Sequence, residues 1–133
     1  MNVAHESMEN ILIDTSGWID FFRHRTGRIG DIVSASLENE IAYLTGVIQA
    51  ELLHGAKGKK EVEQLSVLFK TVPCLPVIEE DWLATGRLLH RLKSTGITVP
   101  LTDALIAVIA GRYTMNVLTL DKHFRHLPVN CVL

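Results

Sequence analysis

A chain of 133 residues fits a single domain, since domains run to roughly 100–200 residues, and at that size burial alone sustains a fold without disulfides or a structural metal. Apolar residues at 47% and charged residues at 21% lie in the globular range and exclude a disordered body. The net charge of −2 and pI near 6.3 exclude an overall basic field of the kind that holds nucleic acid by counterion release, so any polyanion contact has to be local.

The first nine residues, MNVAHESME, are polar and unpatterned. They are expected to form a flexible N-terminal tail, residues 1–9, ahead of one folded domain, residues 10–133. Asn10 to Ile13 is a short apolar run closed by Asp14, the way a buried parallel strand ends when it delivers a polar residue to the sheet edge. Thr15 and Ser16 offer N-caps to a helix predicted from Gly17 to Arg25. Its Trp18, Phe21 and Phe22 are expected in the core rather than in an exposed groove. Gly27 and Gly30 break this helix, and Ile32 to Leu37 adds a further turn or two.

Ile41 to Thr45 reads as a second strand, and Gly46 separates it from a helix that begins near Val47 and carries Glu51. Gly55 to Lys60 is a charged, glycine-broken connection. Val62, Leu65, Leu68 and Phe69 then recur at helical spacing. The stretch VPCLPVI, with Pro73 and Pro76, suits an edge strand or an extended connector. A long amphipathic helix is predicted over Glu79 to Ser94 on the pattern of Trp82, Leu88, Leu89 and Leu92, with Gly96 just past its end. After Pro100 and Thr102, Asp103 opens the run ALIAVIAG, apolar on nearly all sides and therefore a buried helix. NVLTL is a third strand, ended by Asp121, and VNCVL is a last one.

Strands alternating with helices predict a mostly parallel sheet covered on both faces. No apolar run reaches the roughly 18 residues of a membrane span and no signal-peptide core opens the chain, so a cytoplasmic location without a membrane partner is expected. Cys74 and Cys131 lack the spacing of a zinc site and are expected as reduced core thiols.

Four acids stand out by position. Asp14 and Asp121 end apolar strands, Asp103 begins a buried helix, and Glu51 lies in the first turns of a helix that follows a strand. Each has an ordinary reading alone: Asp14 a helix cap, Glu51 a solvated side chain, Asp103 a partner of the helix dipole, Asp121 a turn residue. Ligands in such sheets gather beyond the carboxyl ends of the strands. If the acids meet there, their mutual repulsion raises their pKa values unless a cation neutralises them. Oxygen donors without a zinc pattern point to Mg²⁺ or Mn²⁺, and such an ion suits phosphodiester hydrolysis.

The stretches DTSGWIDFF from Asp14, TGVIQAELLHG around Glu51, VPLTDALIAVIA around Asp103 and LTLDKHF around Asp121 resemble the four acidic motifs of PIN domains, and of bacterial VapC toxins in particular. The resemblance runs from Ile11 to His126 in the family's order. It implies a three-layer α/β/α PIN-like domain and a divalent-metal-dependent endoribonuclease that is the toxin of a toxin–antitoxin pair. Asp14 and Asp103 would bind the metal, with Glu51 and Asp121 completing the acidic site. Ser16 matches the small hydroxyl residue of the first motif. Thr119, on the same side of its strand as Asp121, is placed to hydrogen-bond a carboxylate or a metal water. A VapB-type antitoxin and a homodimer are the expected partners, with RNA as substrate.

Basic clusters flank two of the acids. Lys122, His123, Arg125 and His126 follow Asp121, and Arg23, His24, Arg25 and Arg28 follow the first motif. Lys122, His123, Arg125, Arg23 and Arg25 are candidates to grip RNA phosphates, with a solvated charged face as the competing reading. Two other functions stay open at this point. One is a PIN-like module that binds RNA or protein without cutting. The other is a receiver-type signalling domain, which needs paired acids after its first strand where this chain has Asp14 alone.

Overall fold

The computed structural model describes residues 9–132; residues 1–8 of the expected N-terminal tail lie outside them. Strand β1 (Ile11–Ile13) is followed by helices α1 (Thr15–Arg23) and α2 (Arg28–Glu38), then β2 (Ala42–Thr45), α3 (Gly46–His54) and α4 (Lys59–Thr71). Strand β3 (Cys74–Leu75), α5 (Glu79–Ser94), α6 (Leu101–Arg112), β4 (Asn116–Leu118), a 3₁₀ turn (Lys122–His126) and β5 (Cys131–Val132) complete it. The strands form one sheet in the order β3-β2-β1-β4-β5, and all four pairings are parallel.

This order dictates the layers. From β1 through β2 to β3 the chain steps in one direction, so right-handed crossovers put α1 to α4 on one face; the long return from β3 to β4 reverses direction and puts α5 and α6 on the other. The helices accordingly pack as α1 with α2 and α3, α3 with α4, and α5 with α6. The expected three-layer α/β/α domain with a parallel sheet is what forms. A receiver-type domain has the order 2-1-3-4-5, so that alternative falls.

The core explains the strands. Leu12, Ile13, Leu44, Val117 and Leu118 are fully buried, as befits central strands covered on both sides. Helix α6 buries Ala104, Leu105, Ile106, Ala107, Ile109 and Ala110, and its near-uniform apolar surface is the reason it reads as hydrophobic all round. Prolines at 73 and 76 confine β3 to the edge position that the sheet order shows.

Several expectations need correction. Helix α1 begins at Thr15 and ends at Arg23, so Thr15 and Ser16 lie inside its first turn and are not its caps. Helix α2 is a full eleven residues, because Gly30 does not break it: a Cβ there would lie 2.6 Å from the carbonyl oxygens of His24 and Arg25. Glycine lets the chain fold back tightly at that point. Trp82 is exposed, since the inward stripe of α5 runs through Asp81, Thr85 and Leu88 and residue 82 points about 100° away from Asp81. Cys74 and Cys131 are free, as expected, but exposed. Both sit on edge strands, and in β3 the alternation that turns Leu75 inward turns Cys74 out. Of the aromatic trio, Trp18 and Phe21 are core, whereas Phe22 stacks on Trp18 and stays partly open.

Candidate active site

Strand order reverses between β1 and β4, both neighbours of which lie further out. The crevice beyond the carboxyl ends of two such strands is where open α/β sheets collect ligands. Asp14 follows β1 directly, and its N–H continues the ladder to Leu118 of β4 at 3.0 Å. Asp121 stands three residues past β4 rather than at its end, after the short link Thr119–Leu120. Helix α6 runs back toward the start of β4, so its first turn, with Asp103, sits at this rim. Helix α3 starts at the rim directly after β2, which places Glu51 about a turn and a half down it.

Asp14 occupies the position before α1 but its side chain makes no capping bond. Its carboxylate is instead buried, and Oδ2 accepts the Thr119 hydroxyl at 2.8 Å and the Ser16 hydroxyl at 3.2 Å. Each hydroxyl has one hydrogen, and both are spent on Asp14. As acceptors, Ser16 Oγ takes the Leu120 N–H and Thr119 Oγ1 takes the Asp121 N–H, each at 2.9 Å. Two hydroxyls thus tie the end of β1 to the link that carries Asp121. Gly17 permits this closeness: a Cβ there would lie 3.1 Å from Ile13 and 3.3 Å from the Leu118 carbonyl oxygen.

Glu51 accepts the Thr15 hydroxyl at 2.7 Å, which fixes α3 against the first turn of α1. Burial pushes the Asp14 carboxyl upward, the hydrogen bonds from Thr119, the Thr15 backbone and Ser16 oppose it, and the charge of Glu51 adds to the rise. Asp103 is pushed up to about 7, first by burial, then by the neighbouring Asp121 carboxylate, then by the charge of Asp14. Burial also acts upward on Asp121, but the His123 backbone N–H, Asp103 and the His123 ring hold it below the usual range. Asp14 thus feels the charge of Glu51, and Asp103 the charges of Asp121 and Asp14, a chain of influences that links the four acids along one rim.

Asp103 Oδ2 is buried and has no hydrogen-bond partner. Such a carboxylate oxygen is costly unless an ion or water meets it. Asp103, Asp121 and His123 offer donor atoms within 4.8 Å of one another. The two carboxylates fit a divalent cation.

His123 lies elsewhere than its basic neighbours. Its Nδ1 is 2.8 Å from Asp121 Oδ1 and 3.5 Å from Asp103 Oδ2, so the ring faces the acids and is not free to grip a phosphate. Lys122 and Arg125 are exposed on the same 3₁₀ turn, and Arg23 and Arg25 are exposed at the end of α1 and just beyond it. The Arg25 guanidinium lies over the Phe21 ring at 4.7 Å. A surface cleft of about 320 Å³ lies elsewhere, between α2 and the amino ends of β1 and β4, with Ile11, Ile32, Ala35 and Asn116 among its lining. It holds none of these acids.

A family model described as the PIN domain matches residues 11–130. The chain belongs to the PIN domain family. Among PIN domain proteins, VapC ribonuclease Mb1587 of Mycobacterium bovis and ribonuclease VapC11 of Mycobacterium tuberculosis are each 32% identical over 119 residues, 86% of this chain and 88% of theirs. This similarity assigns the chain to the VapC branch of the PIN domain family. VapBC2 of Rickettsia felis, solved bound to a DNA fragment from its promoter, shares the PIN fold with a TM-score of 0.77 at 16% identity, over 92% of this chain and 96% of that one. VapC20 of Mycobacterium tuberculosis, a sarcin-ricin loop cleaving toxin, does so with a TM-score of 0.73 at 18% identity, over 92% and 98%.

Proposed function

We propose that this protein is the toxin of a toxin–antitoxin pair, an endoribonuclease that hydrolyses RNA phosphodiester bonds with Mg²⁺ or Mn²⁺ held by Asp14, Asp103, Glu51 and Asp121. The observation that carries the reading is the buried, unpartnered Asp103 Oδ2 among three further acids at the switch point of the sheet. The VapC ribonucleases it resembles over most of their length support the choice of RNA.

A bound divalent ion supplies Lewis acidity toward the phosphate and a water of lowered pKa. The chain's own residues prepare that chemistry. Asp14 and Asp103 present carboxylates from a strand end and a helix start. Thr119 and Ser16 hold Asp14 in one rotamer and position the Asp121 link. Glu51, steadied by Thr15, adds negative charge on the α3 side. Lys122, Arg125, Arg23 and Arg25 supply local positive charge for RNA phosphates that the net charge of the chain does not.

Ile19 and Phe22 of α1 and Leu53 of α3 are exposed on two helices that pack together, and we assign to them the contact with a VapB-type antitoxin. The toxin–antitoxin complexes among the structural neighbours support such a partner. Trp82 and Leu83 on α5 are assigned to a homodimer contact. Among the described residues no helix is long and apolar enough to cross a membrane, in keeping with a cytoplasmic site of action.

The test is Asp103→Asn, which keeps the shape and removes the charge. Cleavage of total bacterial RNA and growth inhibition should both be lost while the circular dichroism spectrum is unchanged. Cleavage that persists in this variant, or in wild type with excess EDTA, defeats the reading.

A further inference from the structure

Asp121 and His123 stand two residues apart on one tight turn. Asp121 fixes that turn itself, since its Oδ1 accepts the His123 N–H at 2.9 Å. The same turn swings the His123 ring back over the acids, where Nδ1 lies 2.8 Å from Asp121 Oδ1 and 3.5 Å from Asp103 Oδ2. The longer distance is beyond a good hydrogen bond, and Asp103 Oδ2 is left without a partner although its side chain is only 10% exposed. Cis ligands about 2.1 Å from one octahedral ion stand roughly 3 Å apart. A nitrogen 2.8 and 3.5 Å from two carboxylate oxygens thus has the spacing of neighbouring ligands in one coordination shell, and donor atoms of all three residues lie within 4.8 Å of one another. The ring is about half exposed, and a neutral imidazole is a common metal ligand through either ring nitrogen.

We infer that His123 Nδ1 is a direct ligand of the ion held by Asp103 and Asp121, and that it makes the site select Mn²⁺ and its first-row neighbours over Mg²⁺. The inference rests on the metal-dependent reading above and goes beyond it by adding a nitrogen donor to a carboxylate set. Imidazole suits first-row transition ions, whereas carboxylate and water suit Mg²⁺. A set of two carboxylates and one imidazole therefore lowers the relative standing of Mg²⁺ while leaving positions open for water and phosphate.

Mn²⁺ itself is the probe. Electron spin-echo spectroscopy of the full chain with one equivalent of Mn²⁺ should show ¹⁴N modulation from a directly bound imidazole. His123→Ala, a change at a half-exposed position, should still bind Mn²⁺ but lose the modulation. Its preference for Mn²⁺ over Mg²⁺ in competition should fall by at least about tenfold, the loss that even outer-shell partners of a metal can produce. Oxygen-only coordination in wild type, with Mn²⁺ binding lost in Asp103→Asn, overturns the His123 assignment and leaves the metal-dependent reading intact. Modulation that survives in His123→Ala, or an unchanged preference, overturns it as well. Wild type that binds no Mn²⁺, or Asp103→Asn that binds it equally well, overturns both.

Discussion

Thr119 shows how much a single hydroxyl does in this site. It is buried, donates to Asp14 at 2.8 Å and accepts the Asp121 N–H at 2.9 Å, so it serves two of the four acids at once. Thr119→Val keeps the shape and deletes both bonds, leaving a buried carboxylate and a backbone N–H short of partners. Such losses cost about 1–3 kcal/mol each, and outer-shell partners of a metal are worth roughly 10–100-fold in affinity or activity. Urea denaturation should report a destabilisation in that range, and RNA cleavage should fall by one to two orders of magnitude. Ser16 shares the load through a longer 3.2 Å bond, so Ser16→Ala should be milder in both measurements. Thr119 was legible in the sequence from its two-residue offset to Asp121. Ser16 was legible as a hydroxyl, but not in its true work, because the helix starts two residues earlier than its glycine suggests. The direction of the His123 ring had no sequence signal: among Lys122, Arg125 and His126 it looks like one more basic residue, and only the 3₁₀ turn separates it from them.

Elements that carry a continuous apolar pattern were readable, and those governed by one close contact were not. Helix α5 appears over the expected Glu79–Ser94, since its boundaries are marked in sequence by acids at the start and Gly96 at φ +81° beyond the end. Helix α2 was underestimated because Gly30 resembles a breaker until its neighbours' carbonyls are in view. What locks α5 to α6 was also invisible, being a contact between residues 31 apart. Asp81 is buried and accepts from the Ile78 N–H at the start of α5. Arg112, at the end of α6, donates to both of its oxygens at 2.8 Å and to the Pro76 carbonyl. The Arg112 hydrogen bond holds the Asp81 carboxyl below its usual value against the opposing effect of burial. A depressed folded-state pKa contributes stability that is full above the unfolded value and lost as pH falls through the folded one. Wild type should therefore lose melting temperature below about pH 4 more steeply than Asp81→Asn. Arg112→Leu strands a buried carboxylate. It should cost on the order of 2–3 kcal/mol at neutral pH in denaturant unfolding, somewhat under the range for fully buried pairs, because the Arg112 side chain is 30% exposed.

For the whole molecule, the sheet order turns four residues scattered from position 14 to position 121 into one negative rim. Alternating strands and helices made that convergence readable as a class of outcome, while the order itself, and hence the pairing of β1 with β4, came from long-range contacts that no local pattern encodes. The concentration of charge sets a global expectation. Anything that binds the folded state alone stabilises it by mass action, and the rim carries repulsion that a cation relieves. Millimolar Mg²⁺ or Mn²⁺ should raise the melting temperature of wild type by several degrees in differential scanning fluorimetry. Asp103→Asn should melt higher than wild type in EDTA and respond little to the ions, and a wild-type midpoint indifferent to both metals would contradict the expectation.

Among the described residues the sheet closes on each side with a strand of two residues, β3 and β5. Little unsatisfied backbone is on offer there for another chain to add to, which is a known guard against runaway edge-to-edge pairing. Concentrated solutions of this protein should consequently resist fibrillation, and its self-association should proceed by way of side chains on the helical layers, where a single substitution can tune or abolish it.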